Sequence, residues 1–156
     1  MAINLTQKER MLLEDQKNHE QVCIEKYNNY ANQAQCPQLK QLFSTYASQE
    51  QQHLNTINQI LSGQMPNMNN QQSQQANTQT AQPDGNTIMN NQNDATLCTD
   101  MLMTEKYVSG TYNTAIFEFR DKNIRQVLNH IQKEEQQHGE GIFNYMQSHG
   151  MYNVQQ

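Results

Sequence analysis

Apolar residues recur at helical spacing in four separate stretches of this 156-residue chain. Positions three and four apart share one face of a helix, so each stretch predicts an amphipathic helix. Thr6 and Glu9 form the Thr-x-x-Glu pattern of a capping box, which places the first helix start. Pro37 suits a first helical turn, and Gly63 and Gly150 suit helix ends. The predicted helices span residues 6–35, 38–62, 94–120 and 123–149.

The second pair of predicted helices repeats the first pair without a gap. Glu50-Gln51-Gln52-His53 recurs 85 positions later as Glu135-Gln136-Gln137-His138. With that offset, apolar residues of the first pair, such as Leu39, fall on apolar residues of the second, such as Ile124. The chain is therefore predicted to be one helical hairpin written twice.

A polar segment separates the two hairpins. Residues 62–93 are mostly Asn, Gln, Ser and Thr, and they show neither helical nor strand periodicity. A connection of this length can run along the outside of a bundle of roughly 35–40 Å, as the crossover of ferritin-like bundles does. We predict an all-α, ferritin-like antiparallel four-helix bundle with a long crossover linker. It forms a single domain, 1–156, with hairpin 1 at about 6–62, the linker at 62–93 and hairpin 2 at about 94–150.

Composition excludes several classes of function. The net charge of −5 argues against binding nucleic acid through its phosphates. No stretch is apolar enough for a signal peptide or a membrane span, so we expect synthesis in the cytoplasm and no membrane partner. The chain has three cysteines, Cys23, Cys36 and Cys98, and no two of them form a Cys-x-x-Cys pair. This argues against a disulfide framework or a thiolate metal site.

One carboxylate in each predicted helix falls on the apolar face. The residue counts from each of them to its hairpin turn are roughly equal, which places all four near one level of the bundle. Glu25 lies in a Glu-Lys-Tyr sequence like that of Glu105, but it faces the opposite way and is left out. The six candidate ligands are Glu20, Glu50, Glu105 and Glu135, with His53 and His138 one turn after the second and fourth.

A dry core cannot hold four uncompensated carboxylates. Each costs several kcal/mol, whereas a whole domain is stable by roughly 5–15 kcal/mol. One Glu from each of two helices plus Glu-x-x-His from each of the other two is the ligand set of di-iron and di-manganese bundles. The six residues are therefore predicted to bind a di-iron or di-manganese centre. A bundle that keeps the pattern without metal, and a chance pattern, are the alternatives.

Other polar residues lack this support. His19, His130 and His149 have no counterpart in the repeat, so we expect them at the surface. Tyr27 and Tyr112 lie two turns beyond the acidic residues of their helices. These tyrosines could form hydrogen bonds near the site, but packing in the core is the preferred interpretation.

Several segments of the second half carry a family resemblance. They are Leu102-Met103-Thr104-Glu105-Lys106-Tyr107, Tyr112-Asn113-Thr114-Ala115, Asn123-Ile124-Arg125-Gln126-Val127-Leu128, Glu134-Glu135-Gln136-Gln137, Ile142-Phe143-Asn144-Tyr145-Met146-Gln147 and Gly150-Met151-Tyr152. Over roughly residues 95–155 the chain resembles the Coat F family of bacterial spore coat proteins. The resemblance implies a ferritin-like helical fold and a place in the spore coat, with assembly from the mother-cell cytoplasm. Many relatives have His at the position of Gln136, usually have Trp at that of Met151, and lack a counterpart of His138.

Three functions remain open, and whether the protein is an enzyme is not decided. The first is a structural spore coat component with other coat proteins as partners. Formation of a homodimer is a further alternative. The second is a di-metal oxidoreductase of the rubrerythrin, ferritin or manganese-catalase kind, acting on peroxide, oxygen or iron. A complete rubrerythrin is excluded, since its Cys-x-x-Cys module is missing. The third is a binding module that uses the bundle surface.

Overall fold

Four long helices dominate the computed structural model, which describes residues 2–68 and 92–152. The helices are α1 (Gln7–Gln33), α2 (Pro37–Leu61), α3 (Gln92–Glu118) and α4 (Lys122–Ser148). Within these described ranges there is no strand, so the predicted all-α class is confirmed. Every helix end lies within two residues of its predicted position. None of these described helices is long and apolar enough to cross a bilayer.

The predicted local signals set the helix ends. The Glu9 backbone N–H donates to Thr6 Oγ1 over 3.1 Å, and the Thr6 N–H donates to Glu9 Oε2 over 2.9 Å. This reciprocal pair satisfies two donors that the first turn of α1 leaves free. Pro37 lies in the first turn of α2. Gly63 and Gly150 follow α2 and α4 with φ of +87° and +69°, a conformation that favours glycine.

The two hairpins pack antiparallel to each other. Tyr27 contacts Glu105 and Tyr112 contacts Glu20, so α3 runs opposite to α1. The N–H of Ile3 donates to the carbonyl of Gly63, two residues after α2 ends, which places the start of α1 beside the end of α2.

The connection between the hairpins must span the bundle. Asp94, near the start of α3, accepts hydrogen bonds from the turn between α1 and α2, at the other end of the molecule. Leu61 and Gln92 therefore lie at opposite ends of the bundle, about 38 Å apart for a helix of this size.

The predicted linker, 62–93, is only partly described. Pro66 is buried, and Met68 packs against a core cluster, so the first residues after α2 are held against the bundle. Gln92 and Asn93 belong to α3. Residues 69–91 lie outside the described part of the chain.

The buried apolar residues form two clusters, and each cluster contains residues from all four helices. The first includes Leu13, Ile57, Tyr112, Phe119, Leu128 and Ile131, and the second includes Tyr27, Leu39, Phe43, Met101, Ile142 and Met146. The first lies towards the start of α1 and the second towards its end. The candidate ligands occupy the layer between the two clusters.

The 85-residue repeat also relates two buried acidic residues, one at each end of the bundle. Glu9 and Asp94 are 85 positions apart, and each accepts a backbone N–H from the hairpin turn of the other half. Asp94 Oδ1 and Oδ2 accept from the N–H groups of Gln35 and Cys36 over 2.9 and 3.0 Å. Glu9 Oε1 accepts from the N–H of Arg120 over 3.2 Å and from its guanidinium over 3.0 Å. These contacts hold the hairpins together at both ends.

Candidate metal centre

The structure brings all six predicted ligands together in the middle of the bundle. Each side chain comes from the apolar face of its helix, and none of the six residues is more than 3% exposed. Helix α1 contributes Glu20, α2 contributes Glu50 and His53, α3 contributes Glu105, and α4 contributes Glu135 and His138.

The six residues form two overlapping groups of four. Within each group, one ligand atom per residue can be chosen so that all four atoms lie within 4.8 Å of one another. The groups are Glu20, Glu50, His53, Glu135 and Glu50, Glu105, Glu135, His138. Because Glu50 and Glu135 belong to both groups, two cations bound here would share those two carboxylates.

Both histidines point Nδ1 into the cluster. His53 Nδ1 lies 2.9 Å from Glu135 Oε1 and 3.3 Å from Glu50 Oε2. His138 Nδ1 lies 2.9 Å from Glu50 Oε1 and 3.2 Å from Glu105 Oε1. The shortest contact of each histidine therefore joins the two hairpins, and either hairpin alone supplies half of the cluster.

Two buried tyrosines bind the outer carboxylates of the cluster. The Tyr27 hydroxyl donates to Glu105 Oε1, and the Tyr112 hydroxyl donates to Glu20 Oε1 over 2.5 Å. Burial, and next the charge of the bonded carboxylate, raise the pKa of both tyrosines well above the usual value. Both hydroxyls therefore stay protonated. The sequence interpretation favoured packing alone, whereas these side chains both pack in the core and bond to the site.

The side of the cluster at His138 is closed. The ring of Tyr46 stacks on the His138 imidazole with centroids 4.2 Å apart, and His138 Nε2 lies 2.5 Å from Gln49 Oε1. The Tyr46 hydroxyl occupies the space that a Cβ atom on Gly141 would fill. Gly141 therefore makes room for the ring that covers this side.

The side at His53 carries a second acid and a third histidine. Glu134 Oε1 lies 3.6 Å from His53 Nε2 and 2.6 Å from His130 Nε2. Both contacts lie within ion-pair distance, and neither imidazole Nε2 has a partner in good hydrogen-bond geometry within the described chain. His130 was expected at the surface, but it is only partly exposed and lies beside the cluster. Glu134 was not predicted, although it is the repeat counterpart of Gln49.

Three of the four carboxylates have raised pKa values when no cation is bound. Burial, reinforced by neighbouring carboxylates, raises the pKa of Glu50 to about 7 and that of Glu105 to about 8. Burial and the nearby Glu135 also raise the pKa of Glu20. Glu135 differs: burial and Glu50 act to raise its pKa, but hydrogen bonds from its neighbours outweigh them and lower it.

The histidines show the reverse balance. Burial acts to lower the pKa of His53 and His138, but hydrogen bonds to the surrounding carboxylates outweigh it and raise both values well above the usual range. Protons shared between carboxylates and imidazoles thus partly compensate the charge in the absence of metal.

The donor set fits a pair of divalent cations. Three buried carboxylate oxygens of the cluster have no hydrogen-bond partner within the described chain: Glu20 Oε2, Glu105 Oε2 and Glu135 Oε2. Such atoms are costly unless a donor or a cation faces them. Carboxylate oxygen and imidazole nitrogen are ligands that suit iron and manganese.

Comparison with known protein families gives a match in the second hairpin. The Coat F domain matches residues 93–155, which include nearly all of α3 and the whole of α4. The resemblance predicted for the second half is thereby confirmed. The matched span contains Glu105, Glu135 and His138, whereas Glu20, Glu50 and His53 lie outside it. Comparison with curated proteins and with solved structures gives no match.

Proposed function

We propose, because the Coat F domain matches the second hairpin of this chain, that the protein is a spore coat component whose bundle binds two divalent cations. The Coat F match supports the place of action, with other spore coat proteins as partners and assembly from the mother-cell cytoplasm. The buried cluster supports the chemistry. The complete bundle is of the ferritin-like type, since the first hairpin adds its own Glu and Glu-x-x-His to those of the Coat F domain.

The observation that carries the cation site is the pair of overlapping ligand groups that share Glu50 and Glu135. Four ionised carboxylates carry a charge of −4, and two divalent cations balance that charge while both histidines stay neutral. Protons compensate less well, since Glu20, Glu105 and Glu135 each keep an unpartnered oxygen within the described residues. Iron or manganese satisfies both the charge and these oxygens.

A second candidate is a di-metal oxidoreductase that acts on peroxide, oxygen or iron. The observation in its favour is the sharing of Glu50 and Glu135, which would hold two metals side by side. Iron or manganese bound there would supply electron transfer to a small oxidant. The protein's own part is to hold the metals in a water-poor layer and to orient Glu20 and Glu105 through hydroxyl donors. Burial of every ligand restricts access to small molecules.

Metal analysis and thermal unfolding test the cation site. Protein purified without chelator is expected to contain about two equivalents of iron or manganese per chain. Adding Mn²⁺ to the apoprotein should raise the Tm, because a ligand that binds only the folded state stabilises it, by about 2.7 kcal/mol at a hundred times Kd. Glu50→Ala combined with Glu135→Ala should abolish the rise, and Glu25→Ala, at an exposed position of α1, should preserve it.

The two parts of the proposal can fail separately. If the purified protein contains no metal and its Tm does not change when Mn²⁺ or Fe²⁺ is added, the cation site is rejected and the coat role remains. Localisation of a fluorescent fusion in sporulating cells tests the coat role. We expect a ring around the forespore, and a signal spread evenly through the mother cell would reject it.

A further inference from the structure

The two flanks of the cation cluster differ in how they meet solvent. Tyr46, only 5% exposed, covers His138, and Gln49 Oε1 contacts Nε2, the outer nitrogen of the same ring. On the other flank the repeat counterpart of Gln49 is Glu134 and that of Thr45 is His130. The side chains of Glu134 and His130 are 20% and 23% exposed, so they reach both solvent and the cluster.

Three groups on the exposed flank offer metal-ligand atoms. Glu134 Oε1 lies between His130 Nε2, at 2.6 Å, and His53 Nε2, at 3.6 Å. Both imidazole nitrogens are buried and have no hydrogen-bond partner in the described chain. The His53 side chain is 4% exposed, so a nitrogen of a cluster ligand that lacks a well-formed hydrogen bond faces Glu134 from within.

We propose that His130 and Glu134 form an uptake site, at which a hydrated divalent cation binds before it passes His53 and enters the buried cluster. This inference rests on the proposed di-metal site. A carboxylate and an imidazole attract and partly dehydrate the cation at the surface. Thr45 and Gln49, at the equivalent positions of the closed flank, offer neither a charge nor an imidazole. The uptake site is therefore present once, although the cluster it feeds is built from a repeat.

An uptake site has a kinetic signature that a structural role lacks. A cation that enters through His130 and Glu134 must also leave through them. Removing both groups therefore slows association and dissociation by the same factor and leaves Kd unchanged. Groups that only stabilise the bound cation would change Kd, and would act mainly on the dissociation rate.

Stopped-flow loading of the full-length apoprotein with Co²⁺, followed by visible absorption, tests this inference. Dissociation is measured by mixing the loaded protein with excess EDTA. His130→Gln combined with Glu134→Gln is expected to slow both rates about tenfold or more, the lower range by which charged clefts accelerate association. Thr45→Ala, the matched change on the closed flank, should leave both rates unchanged. Thr45 donates only to a carbonyl of its own helix, so its removal disturbs little.

Five outcomes of this experiment support or overturn the uptake site. A parallel fall of both rates at constant Kd in the double variant alone supports the uptake site. Unchanged rates in that variant, or equal slowing by Thr45→Ala, would overturn it. A rise in Kd from faster dissociation alone would also overturn it. Absence of Co²⁺ binding to the wild-type protein at equilibrium would instead reject the di-metal site, and the uptake site with it.

Discussion

Glu50 Oε1 on α2 lies 2.9 Å from His138 Nδ1 on α4, whereas Glu135, in the same Glu-x-x-His motif as His138, lies 3.7 Å from that nitrogen. The other copy behaves alike, since His53 is closer to Glu135 than to Glu50. The motif thus aligns an acid and a base on one helix face, but each base binds the acid of the opposite hairpin. Neither hairpin can complete these contacts alone, so the cluster favours assembly of the whole bundle.

The stability of the apoprotein should fall as the pH rises from about 5 to about 9. The pKa of Glu50 is raised to about 7 and that of Glu105 to about 8, from 4.5 for an unperturbed Glu. A group whose pKa is raised by folding contributes its full stability below the unfolded pKa and loses it as the pH passes the folded pKa. His53 and His138 are shifted in the same direction. The pKa shift of Glu135 has the opposite sign, and its contribution to stability is lost only in acid, below pH 4.5.

Urea unfolding across this pH range in the presence of a chelator measures the effect. With saturating Mn²⁺ the trend should reverse, because cation binding requires deprotonated ligands and tightens as the pH rises. An apoprotein whose free energy of unfolding is constant or increases between pH 5 and 9 would contradict the assignment of protons to the cluster.

The hydroxyls of Tyr27 and Tyr112 should each contribute to stability. Tyr27→Phe removes the hydrogen bond to Glu105, and Tyr112→Phe removes the bond to Glu20. We expect each change to lower the free energy of unfolding by about 1–3 kcal/mol, since the acceptor is a buried carboxyl group. Tyr107→Phe is the matched control, because Tyr107 is 65% exposed. Equal effects of all three changes in urea denaturation would mean that the buried bonds add nothing.

Asp94 should contribute more to the stability of the fold than its position at a helix start suggests. Its two carboxylate oxygens accept the N–H groups of Gln35 and Cys36. In Asp94→Asn one oxygen becomes an amide donor that faces a backbone donor, so we expect a loss of about 1–3 kcal/mol. Asp15→Asn, at an exposed position of α1, should be nearly neutral. Chemical denaturation compares the two variants, and equal stabilities would refute the tie between Asp94 and the turn.

Two glycines of α4 should respond oppositely to alanine. In Gly141→Ala the new methyl group overlaps the Tyr46 hydroxyl, and we expect a loss of about 1–3 kcal/mol from overpacking. In Gly139→Ala the nearest atom, of Leu102, is 3.9 Å away, and alanine should stabilise the helix by about 0.5–1 kcal/mol. Adding Tyr46→Phe should restore much of the stability lost in Gly141→Ala. If that second change gives no recovery, the Tyr46 hydroxyl is not the source of the strain.

The sequence by itself determined the four helices, their ends and the six residues that converge. Each of these features follows from local rules. Apolar spacing defines a helix face, a capping box such as Thr6 with Glu9 marks a start, and the 85-residue repeat places Glu20 and Glu105 at equivalent heights. The Coat F resemblance was also visible in the sequence, but it covers only the second hairpin.

Only the tertiary structure decided which groups meet. The same acidic and histidine residues could pair within a helix, across one hairpin or between hairpins, and periodicity does not separate these arrangements. The bonds from Tyr27 to Glu105 and from the α1–α2 turn to Asp94 each join residues more than 50 positions apart. Their partners depend on how far α3 is shifted and rotated against α1. Packing of all four apolar faces sets that shift and rotation, and no single helix specifies them.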